Sequence, residues 1–283
     1  MTDDIKFDRR RAAALLLSSP LALWAAAARA QAPAPPPPMP MPPPMPGGMY
    51  RPEVPERPSF FFTQLEYGDG LSWNPYPTAG RSLMEILVER TSVAASTDRV
   101  DVRLADPKLF QYPFLYWTGT RDFAPLSPLE IERLRLYLES GGFLLVDDTI
   151  SAPGVGFDRA FQREFGRLFP GKALERLPQD HTVFISYYLI DRIGGRTANR
   201  PYISGFDIGQ RTAIIYSGND LGGAWARDRS GQFINPTDPG GEMQREQAIR
   251  LGINIILYAL CLDYKKDLIH TPFISERRRG KKP

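Results

Sequence analysis

The chain has 283 residues, 28 of them proline and one a cysteine, and a formal net charge of +3. A single cysteine excludes an intrachain disulfide and a paired-thiolate metal site. The positive charge sits at the two ends, +2 in residues 1–30 and +4 in Glu276–Pro283, so the rest of the chain carries −3, which argues against a nucleic-acid-binding body, because phosphate affinity needs clustered Lys/Arg on a folded face.

Residues 1–30 read as an export signal. Arg9, Arg10 and Arg11 precede an apolar run from Ala12 to Ala28, and Ala28-Arg29-Ala30 supplies small residues where a signal peptidase cuts, after Ala30. The run is shorter than the roughly 20 residues that span a bilayer, and Pro20 interrupts it. The consecutive arginines resemble a twin-arginine signal. A general secretory signal is the other reading, and an uncleaved membrane tether a third. The expected location is the periplasm. Residues 31–58, rich in Pro and Met, form an extended polyproline tether. A folded domain is expected over residues 59–268, followed by a basic tail over 269–283 that has the charge for weak contact with a membrane surface.

Phe60–Leu65 is the first expected strand, and Glu66–Gly80 a long loop carrying Trp73 and Tyr76. Arg81–Thr91 has helical spacing of its apolar residues. Short strands follow at Val100–Leu104 and Phe114–Thr118. Ser127-Pro128-Leu129-Glu130 has the pattern of a capping box that opens a helix, and Gly141-Gly142 ends it. Phe143–Val146 is continuously apolar, as a central parallel strand covered on both faces would be. It runs into Asp147 and Asp148. Together these form a strand, crossover helix and strand, expected to be right-handed. A helix over Phe157–Phe169, a short strand at Leu174–Leu177, and strands at Ile203–Ile208 and Thr212–Ser217 come next. A Gly-rich loop then leads to a closing helix, Glu242–Leu262. Cys261, in an apolar run of that helix, is expected in the core. Alternating strands and helices predict an α/β sandwich.

Open parallel sheets bind ligands where their strands end. Four groups are expected at that edge: Asp147 with Asp148, Asp180 with His181, Asn219 with Asp220, and Trp73. Asp148 and His181 are candidates for a general base or acid, though aspartates after strands also commonly cap turns. Trp73, Tyr76 and Trp225 offer anchor surface for a partner, or packing over the sheet. No HExxH, paired-cysteine or calcium-loop spacing is present, nor a P-loop or G-x-S-x-G elbow. No metal and no cofactor is expected.

Tyr112-Pro113-Phe114-Leu115-Tyr116, Thr118-Gly119, the Leu134–Gly142 segment, Phe143-Leu144, Asp147-Asp148, Asp180-His181, Gly252-Ile253-Asn254 and Tyr258-Ala259 together resemble the domain-of-unknown-function family numbered 4159. The resemblance spans about Ser59–Tyr264 and implies the class I glutamine amidotransferase-like superfold, a three-layer α/β/α sandwich with a mostly parallel, flavodoxin-like sheet. Glutamine amidotransferases of that fold use a cysteine at a strand-to-helix elbow, which this chain lacks. The resemblance also implies a protein partner in a cell-envelope assembly with MoxR-type ATPases and von Willebrand A-domain proteins. Three readings follow: a non-catalytic exported domain binding a partner or small ligand at the strand ends, a hydrolase using Asp148 and His181 with or without a metal, and a tethered scaffold.

Overall fold

A computed structural model describes residues 60–261 apart from Asp69. The export signal, the Pro-rich stretch and the basic tail lie outside the described residues. Those residues form a seven-stranded sheet in the order β2-β1-β3-β4-β7-β6-β5. The strands are β1 (Thr63–Leu65), β2 (Val100–Val102), β3 (Phe114–Gly119), β4 (Phe143–Asp148), β5 (Glu175–Arg176), β6 (Ser204–Ile208) and β7 (Arg211–Ser217). The pairs from β2 to β7 are parallel. At the other edge β6 and β5 add on antiparallel. The helices are α1 (Ala79–Arg90), α2 (Pro128–Glu139), α3 (Phe157–Leu168), α4 (Leu221–Trp225) and α5 (Gly241–Leu260).

The three layers follow from the alternation of side chains along each strand. Phe114, Tyr116, Phe143, Leu145 and Ile215 join one core with α1, α4 and α5. Leu115, Trp117, Leu144, Val146 and Tyr216 join the other, with α2 and α3. A strand feeding two cores has no polar face, which is why β3 and β4 read as unbroken apolar runs. The α/β/α sandwich expected from the sequence is the fold observed.

The capping box before α2 is formed. The Ser127 hydroxyl accepts from Glu130 N–H at 3.3 Å, and Ser127 N–H donates to the Glu130 carboxylate at 2.8 Å. Gly141, at φ +114°, then turns the chain into β4. Several boundaries shift. β1 is shorter than expected, and Phe60 makes only an isolated bridge to Ala95. The Leu174–Leu177 strand contracts to two residues. α4, inside the Gly-rich loop, was not expected. Cys261 is exposed rather than in the core, because it follows the last residue of α5 and caps it with its N–H on the carbonyls of Leu257 and Ala259.

Candidate functional site

The carboxyl edge of the parallel strands is closed by a buried polar layer. Asp147 and Asp148 end β4, and Asn219 and Asp220 follow β7; all four are at most 1% exposed. Register brings them together, since Asp147 sits opposite Ser217. Asp147 accepts from the N–H groups of Leu221 and Gly222 at 2.9 and 2.8 Å, and from the Tyr116 hydroxyl at 2.8 Å. It thereby satisfies the first N–H groups of α4, which have no acceptor within their own helix. Asp220 adopts a left-handed backbone, φ +57°, a conformation aspartate tolerates better than most residues. Its carboxylate accepts from Gly223 N–H and from the Tyr76 hydroxyl, and pairs with Arg196. Asn219 clamps Arg200 by accepting from its N–H and donating to its carbonyl, at 2.8 and 2.7 Å.

Asp148 differs from these. One oxygen accepts from Ile150 N–H at 3.1 Å, and the other, Oδ2, is buried without a hydrogen-bond partner. Beside this cluster, Tyr216 donates to Asp158 at 2.5 Å while the Arg200 guanidinium lies over the Tyr216 ring. Gly218 makes room for Arg200, since a Cβ there would meet the Arg200 side chain at 2.8 Å. Ser151, at φ +58°, is bonded by Thr197 and Asn199. Chemically, this layer fixes four loops to one another.

Burial pushes the Asp147 carboxyl up to about 7, and the neighbouring Asp220 adds to the rise. Burial also raises Asp220, against the opposing pull of Arg196 and Tyr76. Burial lifts Asp148 to about 6, with the Ile150 N–H opposing. Folded Asp148 therefore holds its proton to higher pH than the unfolded group, whose value lies near 4. Between those values the folded state binds more protons, so this contribution to stability is present at low pH and lost as pH rises through about 6. Asp148→Asn removes that slope. Relative to the unsubstituted chain, the variant is expected to gain about 2 kcal/mol between about pH 4 and about pH 7, measured by urea unfolding at both values. A constant difference would show that Asp148 titrates in the folded chain as it does in the unfolded one.

Three expected site residues lie elsewhere. His181 is not at the strand ends. Its Nε2 is 3.0 Å from the Thr212 hydroxyl, its Nδ1 accepts from Val183 N–H, and its ring packs near Tyr258. Thr212 stands near the start of β7, five residues before Ser217, so roughly 16 Å of strand separates His181 from the level of Asp147. The cause is the segment after β5, which leaves the sheet to bury Val183 and Phe184 in the α1/α5 core. Asp180 goes with it and is exposed. The Asp148–His181 pair of the hydrolase reading is therefore not formed. Trp73 is 8% exposed and packs in the α2/α3 core, with Arg99 over its ring. Trp225 is fully buried and donates to the Ala248 carbonyl. Neither offers anchor surface; Tyr76 holds Asp220. Among the described residues no group of three or more His, Cys, Asp or Glu is placed to hold a metal ion.

Sequence reasoning missed Arg196, Arg200, Tyr116 and Asp158. The arginines lie in Gly194–Arg200, a stretch with no periodicity, and Tyr116 and Asp158 look like ordinary members of a strand and a helix. The one signal within reach was Asp147 itself, a carboxylate at the end of an apolar strand, which when buried needs donors to meet it.

The fold and its sealed strand ends define a class, an α/β/α sandwich whose parallel strands finish in a shared carboxylate layer. The family described as Domain of unknown function (DUF4159) matches residues 61–260, and the chain belongs to that family. No curated protein matches the chain.

Proposed function

We propose that this chain is an exported, non-catalytic binding domain that presents the carboxyl edge of its sheet to a protein partner in the cell envelope. One observation carries the reading. Leu71, Ile150 and Val155 are 43–79% exposed, and all lie in the segments that leave the ends of β1 and β4. Large apolar side chains held in water on a rigid support are what a partner-binding surface requires. The polar layer beneath supplies the rigidity, and its carboxylates are bonded inward to backbone and arginine rather than outward.

The same reading assigns the sandwich to the class I glutamine amidotransferase-like superfold. The run of parallel strands flanked by helices supports the assignment. The lone cysteine, Cys261, lies past α5, far in sequence from any elbow where a glutaminase would carry its nucleophile. Export rests on Arg9–Arg11 and the apolar run to Ala28. The first partners to try are those the family resemblance implies, MoxR-type ATPases and von Willebrand A-domain proteins.

A photo-crosslinking amino acid at Ile150 or Leu71 tests the proposal in cells. Val88 on α1 and Leu136 on α2, also exposed, serve as controls. The expected result is a discrete adduct from the two rim positions only, carried by a protein recovered from the envelope fraction with Gln31 at its N-terminus. Adducts from the controls alone, or none at all, would reverse the proposal.

A further inference from the structure

The lateral edge of the sheet holds a cavity of about 240 Å³ between the end of β5, the residues before β6 and the segment after His181. Leu177, Phe184 and Ile193 give it an apolar lining. Two charged residues complete it, Arg176 and Asp191. Arg176 lies over the Tyr202 ring, its Cζ 5.0 Å from the centroid. That contact orients the guanidinium plane while its N–H donors stay free of any carboxylate among the described residues. Asp191 faces the same cavity. Neither makes an ion pair among the described residues, and the two do not approach within 4.0 Å of each other. Opposite charges that share one small cavity without pairing suit a ligand bearing both complementary charges.

Size narrows the class. Pockets for drug-sized ligands run to about 300–1,000 Å³, so this cavity suits a smaller body. We propose that it binds a free apolar α-amino acid, with the carboxylate on Arg176, the ammonium on Asp191 and the side chain against Leu177, Phe184 and Ile193. A guanidinium recognises a carboxylate through parallel N–H donors, and a carboxylate accepts from an ammonium. A peptide terminus would bring only one of the two charges. None of the residues that line it is a rim position, so its failure leaves the crosslinking result unaffected.

Calorimetric titration of the full chain with L-leucine tests the proposal, alongside N-acetyl-L-leucine, which lacks the ammonium, and L-leucinamide, which lacks the carboxylate. L-Leucine is expected to bind saturably, and each analogue at least about tenfold more weakly. Arg176→Met should abolish the preference for leucine over leucinamide, and Asp191→Asn the preference for leucine over N-acetyl-leucine. Both positions are exposed, so the variants should melt as the unsubstituted chain does. If one does not, the analogue series on the unsubstituted chain still decides. No saturation by about 10 mM leucine, analogues binding as tightly as leucine, or folded variants with unchanged selectivity would each overturn the proposal.

Discussion

Asp147→Ala is expected to destabilise the domain by about 3–5 kcal/mol. Each buried donor left without a partner costs about 1–3 kcal/mol, and this substitution orphans three: the N–H groups of Leu221 and Gly222 and the Tyr116 hydroxyl. Loss of the repulsion between Asp147 and Asp220 offsets part of the sum. α4 is the element most exposed to the change. It is five residues long and contains two glycines, so its own propensity cannot hold it. Urea unfolding of the purified protein reads the effect, and Asp147→Asn, which keeps one acceptor, should fall between. A loss under about 1 kcal/mol would show that solvent reaches these donors, and the strand ends would then be open rather than sealed.

Trp225→Ala is expected to cost about as much, roughly 3–5 kcal/mol. The indole is fully buried where α4 meets α5, and its ring centroid lies 6.1 Å from that of Tyr116. Gly252 on α5 admits it; a Cβ there would come within 2.7 Å of the indole and 3.1 Å of Leu83. Gly252→Ala alone should therefore destabilise, despite alanine's better helix propensity. In the Trp225→Ala background the same change should be neutral or stabilising. The non-additivity, read from paired melting curves, is the signature of direct contact. Additive effects would mean that the helices part to accept the methyl group.

The central part of the fold was legible because each level of the sequence agreed with the next. Phe143–Val146 is apolar on both faces, the Ser127–Glu130 box closes as read, and Gly141 turns the chain where the helical pattern stops. The site was legible in half. Asp147, Asp148, Asn219 and Asp220 stand at or just after the ends of strands whose positions the apolar runs already implied. His181 was misplaced because its position depends on where the chain goes after a two-residue strand, and that is decided by the burial of Val183 and Phe184 against α5, a long-range event with no local signature. α4 was invisible for a related reason: Leu-Gly-Gly-Ala-Trp carries no helical periodicity and is held by acceptors from β4.

The outermost strands are three residues long at β2 and two at β5. Such stubs offer almost no template for another chain to continue the hydrogen-bond ladder. Among the described residues the sheet therefore resists edge-to-edge fibril growth, and a companion molecule at either edge meets side chains rather than a backbone margin along which to extend.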